Sequence, residues 1–200
     1  MDRGLSYDKT TRRTVAGEKL HYGILYGNEK IVFIKVGADG SIRGYQDKYL
    51  KMAHRIHERL GATVICASNP NVDYSAQVVA DKVMIAKVVV DRGFADHEVY
   101  FVGTSDGGYQ NLLLAGQVPQ TRKILGINAS LIDADDLVAQ LQKIPYVEKV
   151  LVYGTEDDDF ACVPMLQTMA CENLKIITVE GANHEFKGML NEFIALIDLL

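Results

Sequence analysis

Apolar residues follow two alternating rhythms along this chain. Short, nearly continuous Val/Ile runs give way to segments in which apolar residues recur every three or four positions, then return. The runs KIVFIKVG (residues 30–37), ATVICASN, EVYFVG, KILGINAS (123–130), KVLVYGTED and KIITVEG read as strands. Between them, residues 45–61 predict a helix with Tyr49, Ala53, Ile56 and Leu60 on one face and Gly61 as its stop. YSAQVVADKVMIAKVVVDRG predicts a long helix, and residues 133–144 a helix opening on acidic residues. CVPMLQTMACEN and a closing KGMLNEFIALIDLL predict two more. Before all of these, residues 14–27 read as a pair of short antiparallel strands at an edge.

Strands that are apolar along their whole length, each followed by a helix, imply a parallel sheet covered on both faces. The expected architecture is a single α/β domain over residues 1–200: a doubly wound, mostly parallel sheet with helices on both faces. Ligands in such sheets bind beyond the carboxyl ends of the strands. Chemistry is therefore sought at residues 36–40, 68–71, 105–108, 130–133, 154–160 and 181–185.

Composition narrows the classes. At 200 residues, 48% hydrophobic and 24% charged, the chain suits a soluble globular protein. A net charge of −5 without a basic patch argues against a nucleic-acid partner. The charged start MDRGLSYDKTTRR does not read as a signal peptide, and the longest apolar run, VMIAKVVV, is too short to span a bilayer. Three cysteines without a CxxC pair (Cys66, Cys162 and Cys171) fit reduced thiols in a cytoplasmic protein, although Cys162 and Cys171 are free to pair. No metal-ligand spacing is visible, and no cofactor is expected. The glycines of GADGSIRG match neither a dinucleotide fingerprint nor a phosphate loop.

One post-strand segment carries a specific signal. In EVYFVGTSDGGYQNLLLAG, a strand runs into Gly103-Thr104-Ser105-Asp106-Gly107 and a helix follows. Gly-x-Ser-x-Gly in that context is a nucleophile elbow. The sharp turn strains the serine backbone and lifts its hydroxyl above the sheet. Glycines flank it because strand and helix pass too close for a Cβ. The next amide, at the positive end of the helix, is left to donate to an oxyanion. The bland alternative is a glycine-rich turn with an incidental serine.

A serine hydroxyl needs a base, and the base an orienting carboxylate. VLVYGTEDDDF and TVEGANHEF end later strands with Asp157 and His184. With GTSDGG, GTED and GANHEF in this order, each after the expected strand, the chain resembles the α/β-hydrolase family over nearly its whole length. That resemblance implies Ser105 as nucleophile, His184 as base and Asp157 as acid. Asp158 and Asp159 rival Asp157, and Asp133, after the preceding strand, is a further acid position found in some members of the fold. His54 and His57 share a helix face with Lys51, Arg55 and Glu58 and read as solvated, while His21 and His97 fall at or before strands.

The oxyanion hole needs a second amide beside that of Asp106. The family's usual His-Gly pair is replaced here by Val36-Gly37-Ala38-Asp39-Gly40, which leaves the Ala38 amide as candidate. The expected function is hydrolysis of a small soluble ester, thioester or amide through an acyl-enzyme. The alternatives are acyl transfer by the same residues, or a hydrolase-fold protein that binds without catalysis. Ser105 and Asp157 are 52 residues apart, a length already filled by ordinary elements, so no cap domain is expected. The site should then be an open cleft walled by Arg43, Tyr45, Asn71, Tyr74, Tyr109 and Phe160, suited to short acyl groups. No membrane partner is expected, and oligomeric state is not legible.

Overall fold

The computed structural model describes residues 4–93, 96–130 and 134–200. Its eight strands are β1 (Lys9–Val15), β2 (Glu18–Leu25), β3 (Asn28–Lys35), β4 (Ala62–Ala67), β5 (Glu98–Thr104), β6 (Thr121–Ile127), β7 (Glu148–Gly154) and β8 (Leu174–Val179). They form one sheet in the order β1-β2-β4-β3-β5-β6-β7-β8. β1, β2 and β4 pair antiparallel, and every pairing from β4 through β8 is parallel. The hairpin expected at the edge is present, but β1 reaches back to Lys9. The charged residues there occupy an exposed edge, where a strand does not need apolar alternation.

The helices α1 (Lys48–Leu60), α2 (Tyr74–Arg92), α3 (Asp106–Ala115), α4 (Ala134–Gln142), α5 (Val163–Thr168) and α6 (Leu190–Ala195) cover the two faces. α1 and α6 bury Tyr49, Met52, Ile56 and Phe193 against one face. α2, α3, α4 and α5 bury Val78, Leu112, Leu137 and Leu166 against the other. The chain reverses its direction of winding after β4, so β3 and β5 lie side by side with Lys35 opposite Gly103. Their carboxyl ends open the crevice expected at such a switch point.

Two helices are shorter than the pattern implies. The helix expected over residues 162–173 is confined to α5, which follows a 3-10 turn (Asp158–Cys162), carries a proline in its first turn and stops where Met169 turns extended. The closing helix begins only at Leu190, because Phe186 takes φ 55° and Met189 is non-helical. Between Ser105 and Asp157 the described residues form α3, β6, α4 and β7. Cys66, Cys162 and Cys171 are all free, and burial pushes the first two thiols up to about 12 and about 11.

One feature of the core is invisible to hydrophobic periodicity. Lys35, in the middle of an apolar run, is fully buried and pairs with Asp81 of α2 at 3.0 Å. Its ammonium also donates to the Ser68 carbonyl and to Gln77 Oε1, and Tyr22 donates to Asp81 at 2.9 Å. Every charge is thus hydrogen-bonded, which is the condition for burying it. Burial opposes both ionised forms, lowering Lys35 and raising Asp81. The network ties α2 to the loop that follows β4.

Candidate active site

The chain leaves β5 at Thr104, and Ser105 adopts φ 52° and ψ −130°, outside the regions open to an unstrained L-residue. Its amide donates to the Ile127 carbonyl, and its carbonyl accepts from the Gly108 amide at 2.8 Å, which starts α3. The flanking glycines are required by contact. A Cβ on Gly107 would come within 2.3 Å of the Lys35 and Val36 carbonyl oxygens, and one on Gly103 within 2.5 Å of Gly108 Cα. Helix and strands are packed backbone to backbone, and the Ser105 hydroxyl stands in the crevice beyond them.

His184 arrives from the loop after β8. Its Nε2 lies 3.0 Å from Ser105 Oγ and its Nδ1 2.9 Å from Asp157 Oδ2. A carboxylate only accepts, so Nδ1 carries the proton and Nε2 is the acceptor for the serine hydroxyl. The Asp157 side chain is fully buried, whereas that of His184 is 45% exposed. The second Asp157 oxygen accepts from the Asp159 amide at 2.9 Å, where Asp157 caps the 3-10 turn. The carboxylate at hydrogen-bond distance from Nδ1 is that of Asp157, and Asp133 lies outside the described residues. The fold also gathers donor atoms of Asp157, Asp159 and His184 within 4.8 Å of one another, a cluster that linear spacing does not reveal. The mutual hydrogen bonds already account for its acid–base pair.

The loop after β3 forms the opposite wall. The Gly40 amide donates to the Gly37 carbonyl at 2.9 Å, with Asp39 at φ 55°, so the chain reverses around Ala38. The Ala38 and Asp106 amides donate to no group among the described residues. Asp106 is the first residue of α3, where an amide lacks an intrahelical acceptor by geometry.

Four polar side chains to which the sequence pattern assigns no part in the site complete the arrangement. Ser130 Oγ lies 3.1 Å from Ser105 Oγ. The Tyr49 hydroxyl lies 2.8 Å from Thr104 Oγ1, so α1 is joined to the end of β5 beside the elbow. Asn128, almost fully buried, donates from Nδ2 to the carbonyls of Asn183 and His184 at 3.1 and 3.0 Å, and its Oδ1 accepts from the Gly154 amide. It bridges the acid strand to the histidine loop. Only its position as a polar residue ending a strand-like run marks it in the sequence.

A cavity of about 720 Å³ opens beside Ser105 and His184, a size suited to a small organic ligand. It lies on the side of α1 and α6, lined by Tyr45, Tyr49, Phe186, Leu190 and Phe193. Of the six walls expected from sequence, only Tyr45 is among its lining residues. Arg43 is paired with Asp47, and Tyr74 packs against Tyr109 at 6.0 Å between ring centres. The cleft is therefore placed by the β3 loop and the histidine loop, not by the loop after β4.

No family model and no curated protein matches the sequence. Solved structures match its backbone closely. Est1E from Butyrivibrio proteoclasticus superposes with a TM-score of 0.75 at 12% identity, over 95% of this chain and 96% of its own. An alpha-beta serine hydrolase homologue from Coxiella burnetii gives 0.72 at 15% identity, over 97% and 98%. A dienelactone hydrolase from Anabaena variabilis gives 0.72 at 15%, over 96% and 94%. The chain has the α/β-hydrolase fold.

Proposed function

We propose that this protein is a serine hydrolase that cleaves an ester, thioester or amide through an acyl-enzyme. The observation that carries the reading is the continuous hydrogen-bonded line from Ser105 Oγ through His184 to the buried Asp157, anchored on a strained elbow. The fold shared with Est1E and the dienelactone hydrolase agrees with it.

The geometry performs the reaction in two halves. His184 Nε2 takes the Ser105 proton as Oγ bonds to the carbonyl carbon, and the carbonyl oxygen becomes an anion. The amides of Asp106 and Ala38 receive that charge, and because they are fixed beforehand they need no reorganisation. Asp157 stabilises the imidazolium without taking its proton. The proton then passes from Nε2 to the leaving group, whose bond to the carbonyl carbon breaks. In the second half a water gives its proton to Nε2 and its oxygen to the acyl carbon. Collapse returns the proton to Ser105 and releases the acid.

The test is labelling by a fluorophosphonate, which reacts only with an activated serine. Wild-type protein should be labelled at Ser105, with Ser105→Ala and His184→Ala both silent. Equal labelling of wild type and His184→Ala would remove the base from the account. A wild-type protein that resists the reagent would leave a ligand-binding protein on this fold.

A further inference from the structure

The cavity beside Ser105 is apolar over much of its wall, yet one cation is set into it. Lys48, the first residue of α1, lines the cavity and is half-buried. Its ammonium sits 4.9 Å from the ring centre of Phe193 and 5.2 Å from that of Tyr49. Its one hydrogen bond among the described residues, to the Glu185 carbonyl, is long at 3.4 Å. None of the ion pairs among the described residues involves it. Asp47, its neighbour in sequence, is held by Arg43 at 2.8 and 3.1 Å. The carboxylates on the wall, Asp39 and Glu185, are exposed.

An ammonium has three donors, and removing it from water without a carboxylate partner is costly. Ring faces recover part of that cost. Burial correspondingly depresses Lys48, although the charge of Glu185 acts the other way. A lysine in this state gains from an anion that enters the cavity, more than a solvated surface lysine does. A second cation, Lys187, stands exposed on the same wall.

We propose that Lys48 selects substrates bearing a carboxylate: esters whose reacting carbonyl and free carboxylate are separated by an apolar spacer. The spacer lies along Phe186, Leu190 and Phe193, and the carboxylate meets Lys48 while the carbonyl lies at Ser105. The inference rests on the serine-hydrolase reading of the same site, and its test does not depend on turnover.

Binding is measured by calorimetry to Ser105→Ala protein with two matched pairs. One is mono-4-nitrophenyl adipate against its methyl ester, which places the charge on the acyl side. The other is 4-acetoxybenzoate against phenyl acetate, which places it on the leaving side. The anionic member of one pair should bind about ten-fold tighter, the effect of one charge-assisted contact. The preference should vanish when Lys48→Met is added and persist with Lys48→Arg. Lys48→Gln replaces the methionine variant if that does not fold. Equal binding within both pairs, a preference that survives Lys48→Met, or one lost equally in Lys48→Arg would each overturn the proposal. Failure of the hydrolase reading is seen separately, as wild-type protein that turns over neither neutral ester.

Discussion

The two sides of the candidate site are held by different forces. On the nucleophile side, backbone presses on backbone: α3 packs so tightly against β3 and β5 that Gly107 and Gly103 have no room for a Cβ. On the histidine side, the loop after β8 is fastened by hydrogen bonds, from Asn128 to two of its carbonyls and from the Glu156 amide to the Ala182 carbonyl at 2.9 Å. The first arrangement is rigid because interiors resist compression. The second holds an imidazole that is 45% exposed and that, in the proposed reaction, passes a proton to two successive partners. In the proposed mechanism, a fixed nucleophile and oxyanion cradle with a base on a tethered loop would divide preorganisation from proton transfer.

The largest effect that tests this division lies at the junction of the two sides. Asp157→Asn removes the acceptor that fixes the imidazole tautomer, and kcat should fall by roughly 10⁴-fold. Asp158→Asn and Asp159→Asn leave that acceptor in place and should stay within about ten-fold of wild type. Steady-state kinetics on a 4-nitrophenyl ester separates the three. If all three variants are equally mild, the acid lies elsewhere, and Asp133 becomes the residue to replace.

Next in size is the steric side. Gly107→Ala forces a methyl group against two carbonyl oxygens that cannot swing away, since both belong to the end of β3 and its loop. The expected loss is about 3 kcal/mol of stability or more, beyond what side-chain overpacking usually costs. Denaturant unfolding measures it. An alanine variant as stable as wild type would mean that α3 shifts freely, and the claim of a rigid cradle would fail.

The contrast also explains what the sequence could reveal. A steric requirement writes itself as glycine at fixed spacing, so Gly103, Ser105 and Gly107 were legible as a unit, and the strands around them as apolar runs. His184 and Asp157 were legible by their place after successive strands. Hydrogen-bond requirements leave no such mark. Asn128 satisfies three backbone groups from distant segments, and no spacing announces it. The buried Lys35–Asp81 pair was hidden for the same reason, since a lysine in an apolar run reads as an interruption. The cleft walls were misplaced because periodicity orients side chains on helices and strands but not across loops. Only the folded chain shows that the β3 loop turns toward α1 and α6.

Asn128→Ala tests the tethered side directly. It frees two carbonyls of the histidine loop and the Gly154 amide, and displacement of a reacting group by about 1 Å costs on the order of 10²-fold. The loss should appear in kcat more than in KM, because the cavity is formed largely by other residues. Asn128→Asp, which keeps the acceptor for Gly154 but loses both donors, should resemble alanine. A variant that loses stability but keeps its kcat would make Asn128 a core residue with no part in positioning His184.

The smallest expected effect concerns Ser130, where both sides meet at the nucleophile. Its hydroxyl lies 3.1 Å from Ser105 Oγ, which also faces His184 Nε2 at 3.0 Å. Ser105 has one proton, and His184 Nε2 is the acceptor for it. Ser130 must then be the donor of the other contact, holding Ser105 Oγ on the line to the imidazole. That donation steadies the nucleophile in the resting state, but it also ties up a lone pair on the attacking oxygen. The two consequences oppose each other, so Ser130→Ala should change kcat/KM by only about two- to ten-fold, the range of a single neutral hydrogen bond. The direction decides between them. A decrease means that alignment dominates, in keeping with a preset cradle. An increase means that Ser130 restrains the nucleophile, and the serine side would then be less prepared for attack than its packing suggests.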